Sequence, residues 1–336
     1  MPTSLATFLA VHLAAQCGAL PIDDTAVLTT TACIRCHPVQ AQEWFQSPHR
    51  TAFTEATFQS AIAIEPAAFC RGCHAPQADP TVAEITPPAR LGVGCISCHV
   101  REDRVVSWKP SGPDSPHTIE RRPRASSSEV CQKCHEFVFP DSALRDEPLF
   151  MQLTVTEHAQ SKFAAEPCVA CHMEAKPDTA HRSHEFLASR SPAMVRRGVR
   201  VETERPDATT IVMTLRAGKV GHAFPTGDLF RRVEVGVQTI IEGEGETGPS
   251  RTQYLARHFG TQMQSSGVVL RGELHDNRVP ATGEPRVIRW SVPEAAGHSV
   301  RWWVDYQRVA HHTSRDPRSA FVDGTIRIAQ GTLPAH

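Results

Sequence analysis

Apolar and polar positions follow different patterns in the two halves of the chain. In the first half, apolar residues form short clusters between segments rich in proline, glycine and serine. Residues 39–58 are the best helix candidate there, with a break or kink at Pro48. A second helix is predicted at about 153–165. Residues 85–94 and 109–128 are predicted to be loops.

Beyond residue 191, apolar and polar residues alternate, as they do in β-strands with one buried face. Turn signals such as Arg205-Pro206-Asp207 separate the alternating segments. The candidate strands are 198–204, 210–217, 232–242, 268–274, 287–292 and 300–309. Short strands in such numbers favour an antiparallel β-sandwich. We therefore predict an α+β protein, with a mostly helix-and-loop domain at 21–190 and a β-sandwich at 191–336.

One five-residue pattern, Cys-x-x-Cys-His, occurs five times in the first half. About 0.02 copies are expected by chance in a chain with these cysteine and histidine frequencies. Two thiols at this spacing attach to the two vinyl groups of one haem, and the adjacent imidazole becomes the proximal iron ligand. The predicted attachment residues are Cys33, Cys36, Cys70, Cys73, Cys95, Cys98, Cys131, Cys134, Cys168 and Cys171. The predicted proximal ligands are His37, His74, His99, His135 and His172. We therefore expect five haem c groups.

Zinc is the main alternative interpretation of a Cys-x-x-Cys pair. Structural zinc sites combine such pairs two at a time, and their geometry does not require a histidine after every second cysteine. The chain has an odd number of pairs, and a histidine follows each of them. Disulfides at this spacing are mostly redox-active rather than structural. The pattern therefore favours haem.

Composition limits the partners and the size of the polypeptide core. The chain has Lys+Arg 35 and Asp+Glu 36, a formal net charge of -1, so no overall field favours nucleic acid or an anionic membrane. Only 6% of its 336 residues are aromatic, and it contains 26 prolines and 20 glycines. We expect the first half to have a thin polypeptide core, which the haems complete and on which folding depends.

Haem c attachment takes place outside the cytoplasmic membrane, so we expect a periplasmic or extracellular protein. Residues 1–20 are predicted to be an export signal, because 5–15 is an apolar run of signal-peptide length. Ten of the 11 cysteines belong to the motifs, and Cys17 is the remaining one. Lipid attachment at Cys17 is an alternative, although Gln16 stands where such signals have a small residue. No other segment is predicted to cross a membrane.

Each haem iron has a second axial position, and its occupant separates an electron carrier from a catalyst. Of the 18 histidines, five are proximal. The predicted distal ligands are His49, His117, His158, His184 and His222, with His181 as a weaker candidate. A surface, capping or hydrogen-bonding role is the alternative for each. Five distal candidates for five irons predict low-spin, six-coordinate sites, which suit electron transfer.

Local context selects these histidines. His49 follows the first motif on the predicted helix, and His158 has a comparable place before the fifth motif. His117 lies in a proline-rich loop that needs a tether. His184 follows the fifth motif and is preferred to His181 as ligand. His222 lies in a loop between two predicted strands, from which it is expected to cap a haem.

The combination of these segments resembles the multihaem c-type cytochromes related to the tetrahaem electron carrier of ammonia oxidation. The resemblance extends from Cys33 to about Tyr306. Haem motifs alone are generic, and their combination with the other segments is more specific. The features that carry it are the first motif followed by Trp44-x-x-Ser-Pro-His49, closely spaced middle motifs, a His-x-Phe segment after the last motif, and Gly221-His-x-Phe-Pro-Thr-Gly227.

This resemblance implies that His49, His184 and His222 are axial ligands and that the C-terminal half is a sandwich appended to a cytochrome. The fifth motif and the sandwich depart from the small tetrahaem members. The pairing of distal histidines with haems is therefore not carried over from the family.

We expect an electron-transfer protein, and not an enzyme, that passes electrons through mostly bis-His haems between redox proteins or quinone-linked donors and acceptors. One alternative is a haem enzyme with an open iron that acts on a small nitrogen or sulfur compound. Such enzymes often have a Cys-x-x-Cys-Lys motif or a haem-linked tyrosine, but the chain lacks that motif, and Tyr254 and Tyr306 lie in the other half. The second alternative is a self-assembling subunit of an extracellular cytochrome filament.

Overall fold

The computed structural model describes residues 26–64, 66–82, 84–102, 104–108, 115, 117–123, 127–177, 181–241, 247–312 and 316–336. The predicted export signal at 1–20 and Cys17 lie outside these residues. Within the described ranges, no helix is long and apolar enough to span a membrane.

The chain divides into two compact units. Unit 1 consists of Met1–Val130 and Pro167–Phe186, and unit 2 of Cys131–Glu166 and Leu187–His336. The sequence-based division places a single boundary near residue 190. In the structure, the segment that carries the fourth motif belongs with the C-terminal strands instead.

The helices of both units are short. The α-helices are α1 (Ala26–Cys36), α2 (Pro38–Phe45), α3 (Pro48–Thr51), α4 (Ala56–Ile64), α5 (Ala68–His74), α6 (Pro87–Arg90), α7 (Cys95–His99), α8 (Ser127–His135), α9 (Thr154–Ala159), α10 (Val169–His172) and α11 (Pro192–Gly198). The 3-10 turns are Ser142–Leu144, Ala188–Arg190, Pro293–Ala295 and Pro317–Ser319.

The strands lie mainly in unit 2. They are β1 (Val100–Arg101), β2 (Arg104–Ser107), β3 (Ile119–Arg121), β4 (Glu136–Val138), β5 (Phe150–Leu153), β6 (Val199–Glu204), β7 (Thr210–Ala217), β8 (Arg231–Ile240), β9 (Thr247–Leu255), β10 (Arg257–Met263), β11 (Val269–Asp276), β12 (Arg286–Ser291), β13 (Ser299–His312) and β14 (Ala320–Leu333).

Ser-Pro and Thr-Pro pairs set the starts of three helices. Ser47, Thr86 and Ser191 cap α3, α6 and α11, and each side chain accepts a hydrogen bond from a backbone amide three residues on. The proline that follows each cap occupies the first helical position, where its missing N–H costs nothing. The predicted helix 39–58 is consequently broken at Pro48, as the sequence indicates.

Unit 1 has a small polypeptide core. Its cluster of buried apolar residues contains Phe53, Ala75 and Ala89, with partly buried Phe58 and Ile62 packed against it. A core of this size provides little apolar burial for a segment of this length. This agrees with the thin core expected from composition.

Unit 2 has two antiparallel sheets with a common core. The strand orders are β12-β7-β6 and β14-β13-β8-β9. Alternate residues of the central strands point into the core, which includes Ile211, Met213 and Leu215 of β7 and Val233 and Val235 of β8. β10 and β11 form a separate two-stranded sheet. Unit 2 therefore has the larger apolar core.

The α+β class predicted from the sequence is confirmed. Most strand predictions match observed strands to within a few residues, and the helix predicted at 153–165 is present only as α9. The predicted loop 109–128 contains β3 and the start of α8. Strands β9, β10 and β14 were not predicted, because glycines and charged residues interrupt their apolar alternation.

A buried ion-pair cluster surrounds Arg278 in unit 2. Its side chain is 5% exposed, and its Nη2 atom lies 2.5 Å from Glu157 Oε1 and 2.7 Å from Asp276 Oδ2. Its Nη1 atom donates to the Pro225 carbonyl at 2.9 Å. The Glu157 side chain is only 6% exposed, so the two members of this ion pair are buried together.

Replacement of Arg278 by alanine should destabilise unit 2 by roughly 3–5 kcal/mol, because it leaves a carboxylate buried without its cation. The matched control is Arg318→Ala. Arg318 pairs with Asp316 two residues earlier, just as Arg278 pairs with Asp276, but its side chain is 73% exposed. The control should change stability little. Denaturant unfolding of the full protein, followed by circular dichroism, measures both. Equal effects of the two substitutions would contradict the role of burial.

Candidate functional site

A backbone clamp on Val93 fixes the position of His49. Trp44 Nε1 donates to the Val93 carbonyl at 2.8 Å, and the Val93 amide donates to the His49 carbonyl at 2.8 Å. The preceding Gly92 has a φ of 61°, and a Cβ there would overlap the His49 carbonyl. The Trp-x-x-Ser-Pro-His segment is therefore a packing motif that holds the backbone of a predicted ligand.

Phe186 contacts two predicted distal histidines. Its ring centre lies 4.5 Å from that of His49, and the His184 ring meets it edge-on at 6.0 Å. Phe186 has a φ of 46°, an uncommon conformation for a bulky residue. The His-x-Phe segment after the last motif thus brings His184 and His49 to one aromatic side chain.

Two predicted proximal histidines share one type of backbone contact. His74 Nδ1 lies 2.7 Å from the Ala52 carbonyl, and His99 Nδ1 lies 3.2 Å from the Val106 carbonyl. A carbonyl accepts only from a protonated nitrogen, so each ring carries its lone pair at Nε2. Metal-ligating histidines usually have this arrangement, which fixes the orientation of the ring.

Two pairs of imidazole rings in unit 1 have nearly the same separation. The ring centres of His37 and His117 are 6.4 Å apart, and those of His99 and His184 are 6.3 Å apart. A metal–imidazole bond is about 2 Å long, so two imidazoles on opposite sides of one metal have ring centres about 6 Å apart. Each pair contains one proximal and one distal candidate, as one haem iron requires.

Burial favours the neutral form of three of these imidazoles. Burial and the nearby His99 together lower the pKa of His184 to about 4. Burial also lowers the pKa of His37 and that of His99. The neutral form is the one that binds a metal. Among the described residues, the buried Nδ1 atom of His117 has no hydrogen-bond partner, which fits a nitrogen that serves a bound group.

His181 and His184 differ in how their nitrogens are used. His181 Nε2 lies 2.8 Å from Glu43 Oε2, and its Nδ1 lies 3.2 Å from Gln40 Nε2. His184 Nδ1 donates to the Arg182 carbonyl at 2.8 Å, which places its lone pair at Nε2. Glu43, His181 and His184 are close enough to hold a metal ion together. However, both nitrogens of His181 have protein partners, so the geometry favours His184 as an iron ligand.

The thiols of the first and third motifs are in contact. Cys95 donates a hydrogen bond to Cys33, which lowers the pKa of the Cys33 thiol to about 7, while the same contact and burial raise that of Cys95. Two predicted attachment points are thus adjacent.

Unit 2 brings together three predicted ligands from distant parts of the sequence. His135 ends α8, His158 lies on α9, and His222 lies in the loop before β8. A Cβ on Gly221 would lie 3.0 Å from His158 Cδ2, so the glycine permits this close approach. His158 and His135 are also near enough to lower the pKa of His222.

The ion-pair cluster around Arg278 connects the two segments that carry His158 and His222. Thr226, in the His222 loop, donates to Glu157 Oε2 at 2.6 Å, and Glu157 is the neighbour of His158. His222 Nδ1 lies 3.0 Å from the Ala223 carbonyl, which assigns its lone pair to Nε2. Burial lowers the pKa of His222 to about 4, so it is neutral at physiological pH.

Apolar side chains lie at the surface beside the motifs of unit 1. They include Val39 and Phe45 after the first motif and Phe69 before the second. A planar apolar group bound at the thiols can cover such side chains. The donor set, the neutral imidazoles and this apolar surface all fit covalently bound haem.

Residues 32–100, which contain the first three motifs, match the family described as cytochrome c554 and c-prime. No curated protein matches the chain. The fold is similar to the crystal structure of a penta-heme cytochrome c552 from Thermochromatium tepidum. The TM-score is 0.65 and the sequence identity 19%, over 90% of this chain and 97% of that chain. These comparisons support a multihaem c-type cytochrome.

The sequence did not indicate three of the residues that support the ligands. Glu43 contacts a predicted distal histidine in unit 1, and Glu157 and Arg278 support those of unit 2. Each of the three has a partner more than a hundred positions away in the sequence. Phe186, in contrast, belongs to the His-x-Phe segment that the sequence analysis identified.

Replacement of Cys70 and Cys73 together by alanine should lower the covalent haem content by one per chain. Both thioether links of the second motif are then lost, while the other motifs keep theirs. Intact-mass measurement and haem quantification after denaturation test this. The control is Met151→Ala, which removes a sulfur outside the motifs and should leave the haem content unchanged. An unchanged haem count in the cysteine variant would exclude attachment at this motif.

Proposed function

We propose that the protein is an exported cytochrome that carries five covalently attached, bis-His haems and transfers electrons between redox partners. The observation that carries this proposal is the spacing of the two histidine pairs of unit 1, at 6.4 Å and 6.3 Å. In this assignment, His117 is the distal ligand of the first haem and His184 that of the third.

Bound haem supplies an iron that changes by one electron between its ferric and ferrous states. The protein residues hold that iron between two neutral nitrogens, so its coordination stays the same in both states. The Ala52 and Val106 carbonyls orient the proximal rings of His74 and His99. The contact between Cys33 and Cys95 places two attachment points next to each other, which supports transfer from one haem to another.

His74, His135 and His172 are the proposed proximal ligands of the second, fourth and fifth haems. His49, His158 and His222 are the proposed distal ligands of these haems. The close approach of His158 to Gly221, the residue before His222, supports a ligand role for both histidines.

Export follows from the chemistry of haem c attachment, which takes place outside the cytoplasmic membrane. We propose a periplasmic or extracellular location and redox proteins or quinone-linked systems as partners. The penta-heme relative in fold supports the number of haems.

The oxidised protein should give only low-spin ferric signals in low-temperature electron paramagnetic resonance, because every iron has two imidazole ligands. His117→Ala and His184→Ala should each convert one haem per chain to high spin and allow it to bind carbon monoxide when reduced. His298→Ala, a change in unit 2 away from the assigned ligands, is the control. A high-spin signal near one haem per chain in the unmodified protein would contradict electron transfer as the sole function and favour an enzyme with an open iron.

His222→Ala should likewise open one haem to carbon monoxide, because it removes a buried neutral imidazole from the ligand set. Haem content should remain at five per chain, since no thioether is lost. Optical spectra of the reduced protein with and without carbon monoxide measure this effect. Unchanged spectra would remove His222 from the ligands.

A further inference from the structure

Two stretches after the fifth motif, 174–177 and 181–185, pair with each other and together form the post-motif loop. The Lys176 amide donates to the His181 carbonyl at 3.0 Å, and the Ser183 amide donates to the Glu174 carbonyl at 3.0 Å. These bonds fix the two stretches relative to each other but do not by themselves determine where they lie in unit 1.

Arg182 ties this loop to the fifth motif. Its Nη1 atom donates to the Val169 carbonyl at 2.9 Å and to the Met173 carbonyl at 2.8 Å. The first carbonyl belongs to the first residue of α10, and the second belongs to its C-cap residue. The loop therefore has one anchor at the motif that precedes it.

Glu43 provides a second anchor, on the helix that follows the first motif. One of its oxygens, Oε2, accepts a hydrogen bond from His181 Nε2 at 2.8 Å and another from the His184 backbone amide at 2.8 Å. The Glu43 side chain is 13% exposed, and Lys176 Nζ lies 3.7 Å from its other oxygen. A hydrogen bond to a charged, largely buried acceptor is stronger than one between neutral groups.

We propose that Glu43 is a positioning residue that holds His184 at the distal site of the third haem. This inference rests on the proposed function, in which His184 and His99 ligate one iron. Glu43 does not touch the iron site; it fixes the backbone of the ligand and the ring of His181 at the same time. The helix after the first motif thereby determines the ligation of the third haem.

Gln40 completes this anchor. Its Nε2 atom lies 3.2 Å from His181 Nδ1, one helical turn before Glu43. Gln40 and Glu43 therefore contact the two ring nitrogens of His181 from one face of the helix. Removal of the carboxylate would leave only the Gln40 contact on this side of the loop, and His184 could then move away from the iron.

The test is Glu43→Ala in the full protein with all haems attached. We expect a high-spin ferric signal and carbon monoxide binding at up to one haem per chain, with five haems retained. Added imidazole should restore the low-spin spectrum, because it replaces the displaced ligand. Glu43→Gln should give a smaller effect, since an amide oxygen accepts the same bonds without a charge.

The matched control is Glu185→Gln. Glu185 lies in the same loop and 3.8 Å from the same lysine, Lys176, but it does not accept from His184. This variant should keep the spectrum of the unmodified protein. In the double variant Glu43→Ala/His184→Ala, spectra should equal those of His184→Ala alone, because both changes affect one ligand.

Wild-type spectra for Glu43→Ala, together with an open haem in His184→Ala, would overturn the positioning role and leave the ligand assignment intact. Unchanged spectra in His184→Ala would instead overturn the ligand assignment and this inference with it. A loss of one haem in both Glu43 variants would assign the residue to folding around an attachment site, and would also overturn the positioning role.

Discussion

A histidine side chain can hold a metal only while it is neutral and correctly oriented, and unit 1 depends on both conditions. Its own apolar core is small, so side-chain packing alone does not fix the positions of its short helices. The partly buried imidazoles of His99 and His184, which have lowered pKa values and carbonyl partners at Nδ1, provide the missing constraint. The same contacts serve stability and chemistry, because a ring that is held for ligation also holds the helix that carries it.

Unit 2 solves the problem differently. It has an apolar core between two sheets, and it carries three predicted ligands at one place on that scaffold. The buried Arg278 cluster connects a helix, a loop and a strand end around His158 and His222. Burial of such charges is unfavourable unless they are paired, so the cluster specifies one arrangement of these elements. In this unit the predicted ligands are therefore held by a framework that has its own apolar core.

The sequence predicted the α+β class and the strands with regular apolar alternation, because both signals are local. It also offered candidate ligands, which stay predictions, because histidine beside Cys-x-x-Cys and in the Trp-x-x-Ser-Pro-His segment is a short-range pattern. It did not predict that the fourth motif belongs with unit 2, or that Glu43 would meet His181. Those contacts join residues more than a hundred positions apart. The proposed pairing of His99 with His184 rests on the distance between the two ring centres, which the sequence does not contain.

The two histidine pairs of unit 1 also have a consequence for biosynthesis. Members of each pair are separated by about 80 residues, a high contact order for a region of this size. On the proposed export route, a chain that crosses a membrane from its N-terminus would deliver each predicted proximal histidine well before its partner. The first and third attachment sites would then receive haem while their second axial position is still open. Completion of the proposed ligand set would therefore be a late folding event, and the intermediates would be exposed to competing small ligands.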